Sequence, residues 1–236
     1  MKQIVSIALI LILGLTLPVF AQDSRSGADN SETTVEELYL RNMELRIIRE
    51  QAVTLDRDMK LLALKNIQEM MDNGKVSDGD PETHYVLDYL ANEGIGRMVR
   101  ESNRLVNNFP VVRKEACALL GQLGGDNSVQ TLLLIMSNDD EPMVLSEAAY
   151  SLGLIGDNED NRVSQAIADA VLRQDTINPS DNFAYAALLS FQKLAAANSG
   201  LRDPEAVRAV IAIAQGNYIR EVKIKANDVL NEMRKY

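Results

Sequence analysis

Few residues in this chain have the types and spacing that chemistry requires. His84 is the only histidine and Cys117 the only cysteine among 236 residues. A structural zinc site draws four Cys or His ligands, and a Cys–His nucleophile needs its base within hydrogen-bond reach. Cys117 directly follows an alanine on a helical apolar stripe, which suits a small packed residue better than a reactive thiol. His84 stands in the first turn of a helix opened by Asp80-Pro81-Glu82, where a surface or capping role is expected. The densest acidic run is Asp157-Asn158-Glu159-Asp160-Asn161. It starts like a calcium loop, which needs Gly at its sixth position and Glu at its twelfth. Counted from Asp157 those positions hold Arg162 and Ala168, so a solvated turn capping a helix near Arg162 is expected. Asp139-Asp140-Glu141 is taken the same way. The glycines of the Leu-Gly-x-Leu-Gly runs stand at helix ends, where Gly serves as a C-cap or permits close packing, and no Gly-rich phosphate-binding loop is present. The expectation is no catalytic residue, no cofactor and no metal.

The elements that would position any site are helices. Gly and Pro fall between apolar-periodic segments, as at Asn73-Gly74, Gly124-Gly125-Asp126, Asn178-Pro179 and Asp203-Pro204-Glu205. In Asp-Pro-Glu the Asp caps, the Pro takes the first helical position and the Glu favours the helix dipole. Thr34 with Glu37 has the spacing of a capping box. No segment reads as a convincing strand.

Five segments align on an alanine: Ala63, Ala116, Ala148, Ala187 and Ala226. Four residues earlier stand Met59, Val112, Val144, Phe183 and Val222, and four later stand Ile67, Leu120, Leu152, Phe191 and Leu230. Seven later stand Met70, Leu123, Ile155, Leu194 and Met233. Offsets −4, 0, +4 and +7 trace one face of an α-helix, and the small central residue lets a neighbouring helix approach. Between the alanines lie second amphipathic stretches, such as Val129-Leu132-Leu133-Met136 and Val163-Ile167-Ala170-Val171. The repeating unit is therefore helix–turn–helix. The long first interval holds apolar residues over Tyr85–Leu90 and Met98–Val106, split near Gly94-Ile95-Gly96, and is expected to be irregular or to carry an extra helix.

Val112-Arg113-x-x-Ala116-x-x-Leu119-Leu120-Gly121-x-Leu123-Gly124 resembles the second helix of a HEAT repeat, of the type first associated with phycobilin lyases. Val144 to Gly156 resembles it again through Ala148, Leu152-Gly153 and Ile155-Gly156. The units at Ala63, Ala187 and Ala226 keep only the apolar frame. The resemblance covers roughly residues 35–236 and implies an all-α solenoid of about five helical pairs, HEAT- or armadillo-like. It also implies a basic residue at offset −3 that ties neighbouring repeats. Lys60, Arg113 and Lys223 fit, whereas Leu145 and Ala184 depart.

Met1-Lys2, the apolar run Ile4–Leu17, Pro18 and Val19-Phe20-Ala21 have the anatomy of a secretory signal peptide cleaved after Ala21. The apolar run is short for a spanning helix, which needs about 20 residues. Residues 22–33 read as a flexible polar leader and 34–236 as the solenoid. Export places the chain in the periplasm or outside the cell, without stable membrane insertion after cleavage. The formal net charge is −10, and loss of Lys2 makes it −11. Such a surface repels nucleic acid and anionic lipid, so a neutral or basic protein or peptide partner is expected.

On the helical wheel, offsets −2, +2 and +5 point away from the apolar stripe. Large apolar groups at −2 and +2 are Tyr150, Tyr185, Leu189 and Ile224. These four are the expected partner-binding strip, on a concave face lined by second helices. Small residues at +5, including Gly121 and Gly153, are expected to leave room for a guest. Apolar exposed strips of this kind mark interaction surfaces, and Tyr is favoured in them. The leading expectation is an interaction scaffold and not an enzyme. The rivals are a structural subunit of an envelope or periplasmic assembly, and a lyase-like enzyme, since HEAT-like glycosylases and phycobilin lyases carry chemistry on this fold.

Overall fold

Helix-start chemistry is visible at the N-terminal ends of several helices of the computed structural model, which describes residues 34–76, 79–177 and 179–235. The expected leader segments, 1–21 and 22–33, lie outside those residues. Among the described residues ten α-helices follow one another: α1 (Val35–Val53), α2 (Arg57–Asp72), α3 (Pro81–Ala91), α4 (Pro110–Leu123), α5 (Gly125–Asn138), α6 (Pro142–Ile155), α7 (Arg162–Ile177), α8 (Asp181–Ala197), α9 (Pro204–Gln215) and α10 (Arg220–Met233). Asp80 accepts the Thr83 N–H at 3.0 Å and Asp203 accepts the Glu205 N–H at 3.1 Å, so both Asp-Pro-Glu signals open helices as expected. Asp56 caps α2 and Ser180 caps α8 in the same way. Gly156 ends α6 in the left-handed conformation, φ 79°, which a Cβ would disfavour.

The helices form five consecutive pairs, and each pair stacks on the next. The fold is an all-α solenoid. The stripe alanines Ala63, Ala116, Ala148, Ala187 and Ala226 lie on α2, α4, α6, α8 and α10, and all five are fully buried. The apolar frame around them departs from burial mainly at the ends of the stack. Met59 on α2 is exposed and Leu230 on α10 is half-buried, because each belongs to a terminal pair with a neighbour on one side only.

Second helices α4, α6 and α8 pack along their lengths, while first helices α3, α5 and α7 touch more sparsely. The tight side has a specific cause. A Cβ on Gly121 of α4 would lie 2.5 Å from Ser151 Oγ on α6, and one on Gly153 of α6 would lie 2.5 Å from Ser190 Oγ on α8. The close approach is thus between α4 and α6 and between α6 and α8. The expectation that the +5 glycines leave room for a guest is therefore corrected: the next second helix occupies that space.

The long first interval is irregular, one of the two forms expected, but it holds strands where none was expected. Tyr85–Leu90 lies within α3, but Met98–Val106 is not helical. It forms a β-hairpin, β1 (Arg100–Glu101) antiparallel to β2 (Arg104–Leu105), with Arg100 opposite Leu105 and Glu101 opposite Arg104. Ser102 and Asn103 turn the chain at positive φ, 48° and 66°, the conformation of the two-residue turns that match strand twist. Gly94 precedes it at φ 79°, where a Cβ would also strike the Asn107 carbonyl oxygen at 2.6 Å. Both constraints demand glycine and end the helical pattern there.

Candidate interaction surface

Two surfaces compete for function: a buried polar chain at the turns between helices, and the exposed face of the second helices. The polar chain starts from the basic residues at offset −3. Lys60 on α2 donates from Nζ to the Ala52 carbonyl at 2.6 Å and to Glu93 Oε2 at 2.8 Å. Glu93 Oε1 accepts from Asn107 Nδ2 at 2.7 Å. Arg113 on α4 donates from Nη1 to the Glu93 carbonyl at 3.1 Å and from Nε to Asp139 Oδ2 at 2.7 Å. Asp139 Oδ1 in turn accepts the Glu141 N–H at 3.0 Å. Lys60, Glu93, Asn107, Arg113 and Asp139 are all buried. A buried charge is tolerable only when paired and hydrogen-bonded, and here each is. The chain stops after Asp139, because Leu145 and Ala184 at the equivalent positions are apolar and buried. Lys223, in the last pair, is half-buried.

The residues with chemical potential are engaged in packing. Cys117 is fully buried, and burial pushes its thiol far above the ordinary range. The hydroxyl of Ser151 on α6 donates to the Cys117 carbonyl at 2.9 Å, so the residue sits in the contact between second helices. His84 lies between first helices, its Nε2 3.4 Å from Thr131 Oγ1 on α5. In the acidic run, Asn158 Oδ1 accepts the Ser164 N–H at 2.9 Å, which fixes the start of α7. The Arg162 guanidinium donates to Asp157 and to Asp126, at 2.7 Å each. Those bonds hold the Asp126 carboxyl below its usual range and the Arg162 guanidinium above its own. The turn thus carries its own cation.

The exposed face of the second helices is different in character. Tyr150 is 38% exposed, Tyr185 41% and Ile224 51%. Leu189, one turn from Tyr185 on α8, is half-buried. The Lys193 ammonium lies 5.1 Å from the Tyr150 ring centroid. Sequence periodicity missed Leu154, at offset +6 on α6 and 48% exposed, and Val111 and Met143, at offset −5 on α4 and α6 and exposed too. The exposed window is rotated from where an isolated wheel centres it, because the next second helix covers offset +5. That contact, between Gly121 and Ser151 and again between Gly153 and Ser190, brings second helices within hydroxyl reach of one another.

Residues 102–178, from the hairpin through α7, match the family model of HEAT repeats. This part of the chain is similar to HEAT repeats. No curated protein and no solved structure matches the chain. The match takes in α4 and α6, the second helices of Ala116 and Ala148 that carry the fullest motif, with α5 and α7. The remaining pairs share the alanine stripe and the stacking of these HEAT units without the glycines at +5. HEAT repeats commonly serve as protein-interaction scaffolds.

Proposed function

We propose that this chain is an exported, non-enzymatic scaffold that binds a protein or peptide partner along the exposed face of its second helices. One observation carries the reading: Tyr150, Tyr185 and Ile224 present large apolar surface from α6, α8 and α10 where a helix facing only water would carry polar groups. Aromatic anchors of this kind supply much of the energy in protein interfaces. Leu189, half-buried beside them, would form the floor of the contact. The Lys193 ammonium over Tyr150 keeps one rim of the strip polar. The net charge of −10 favours a neutral or basic partner and disfavours nucleic acid. Export to the periplasm or the medium rests on the pattern of residues 1–21, and the chain acts there as a soluble protein.

Site-specific photo-crosslinking tests this reading. A photoreactive amino acid placed at Tyr150, Tyr185 or Ile224 is expected to trap one discrete partner in cells. The same group at Leu134, exposed on the first helix α5, is expected to trap none. Adducts formed only from Leu134 would move the interface to the first helices and overturn the proposal.

A further inference from the structure

Among the described residues, the connection between α3 and α4 is the longest link within a pair of the solenoid. The other links within a pair are short, for example the three residues Asp139–Glu141 between α5 and α6, whereas residues 92–109 separate α3 from α4. Long insertions in repeat arrays map to loops on one face, and such loops are commonly functional. The hairpin within this one differs in charge from everything around it. Residues 97–106 hold Arg97, Arg100 and Arg104 against Glu101, a net charge of +2 in a chain whose total is −10. All three arginines are exposed. Among the described residues, none of them forms an ion pair with a carboxylate. Arg97 stacks its guanidinium 4.6 Å from the Tyr89 ring centroid, and Arg100 donates only to the Asn103 carbonyl across the turn, at 3.4 Å. Met98 beside them is 59% exposed.

The hairpin is also held from beneath. The buried Asn107 accepts the Val99 N–H at 2.8 Å through Oδ1 and donates to the Arg97 carbonyl at 2.6 Å through Nδ2. The same amide donates to Glu93, which Lys60 also holds. Buried, fully bonded groups thus fix the base of an exposed ribbon, and a recognition element placed on rigid support loses less freedom on binding. A guanidinium exposed without a carboxylate keeps its planar donor fork free for a bidentate acceptor.

From this geometry we infer that the hairpin of residues 97–106 is a docking element for an acidic protein segment, with Arg100 and Arg104 binding its carboxylates and Met98 its apolar side chains. The charge contrast carries the choice of partner. A long polyanion such as nucleic acid would run from the hairpin over a surface of net negative charge, whereas a short carboxylate-bearing segment meets the hairpin alone. This inference goes beyond the second-helix reading and does not depend on it.

The test is fluorescence anisotropy of the full chain with a dye-labelled short peptide of alternating glutamate and valine. The parent is expected to bind, with affinity falling as salt rises. Arg100→Glu with Arg104→Glu is expected to weaken binding at least about tenfold with an unchanged circular dichroism melt. Arg220→Glu with Lys235→Glu, an equal charge change at exposed sites on and just after α10, is expected to leave it nearly unchanged. Tyr185→Ala with Leu189→Ala is expected to leave it unchanged too, which separates this surface from the second-helix strip. Absence of peptide binding, or equal loss in both charge-reversed variants, would overturn the inference. Tighter hairpin-dependent binding of a single-stranded oligonucleotide or of anionic phospholipid vesicles would overturn the assignment to an acidic protein segment.

Discussion

Gly121 of α4 lies against Ser151 of α6 with no space for a methyl group: a Cβ there would be 2.5 Å from the serine Oγ and 3.0 Å from its Cα. Alanine is better than glycine in an exposed helix by about 1 kcal/mol. The sign of Gly121→Ala therefore reports which effect wins. Overpacking costs about 1–3 kcal/mol, and the backbone atom in the way cannot rotate aside, so the variant is expected to be less stable by urea melt. Adding Ser151→Gly should recover part of the loss. A Gly121→Ala variant more stable than the parent would mean that the second helices are not in this contact.

The stripe alanines make the same argument at the centre of the helix. Ala148 is fully buried, so Ala148→Leu is expected to destabilise by about 1–3 kcal/mol. Lys114→Leu, half-buried on the outward side of α4, is expected to change the denaturation midpoint little. Equal losses would contradict the register.

The Lys60–Glu93 pair is buried at both ends. Removing one partner from such a pair typically costs about 3–5 kcal/mol because the other charge is left unpaired. Lys60→Met is expected to fall in that range, and Lys60→Met with Glu93→Gln to be the more stable of the two. Additive losses in this double-mutant cycle would show that the pair is not coupled.

Asp80 links α3 to α1: it caps α3 through the Thr83 N–H and pairs with Arg41. Burial raises its carboxyl, but the Thr83 bonds and the Arg41 charge outweigh burial and leave it below the usual aspartate range. A depressed folded value means that Asp80 stabilises at neutral pH, and that this is lost as pH falls through that value. Asp80→Ala is expected to cost about 1 kcal/mol at pH 7, and the gap from the parent to close in strong acid. Parallel stability curves across that pH range would rule the link out.

Much of the fold was legible because the five alanine-centred stripes repeat with helical period, and burial of Ala63 through Ala226 follows from that period alone. The Asp80 and Asp203 caps were legible because Asp-Pro-Glu fixes a helix start through local bonds. The hairpin was not, since two-residue strands have too little alternation to register against a helical background. Its one local signal was Ser102-Asn103, a pair suited to positive φ. The burial of Gly121 and Gly153 was missed for a different reason. A wheel drawn on one helix shows its own core stripe but not the next second helix in the stack. The same blindness hid Leu154, which is exposed because the neighbour covers the other flank.

The central claim is that a partner binds the apolar face of the second helices, and an affinity measurement on the captured partner tests it most directly. Tyr185→Ala with Leu189→Ala, and separately Tyr185→Ala with Ile224→Ala, should be compared with the parent by titration, each beside a circular dichroism melt. Hot-spot truncations cost at least about 2 kcal/mol, so each pair is expected to weaken binding by about thirtyfold or more with the helical signal retained. Unaltered affinity in both folded variants would contradict the account and place the interface elsewhere on the solenoid.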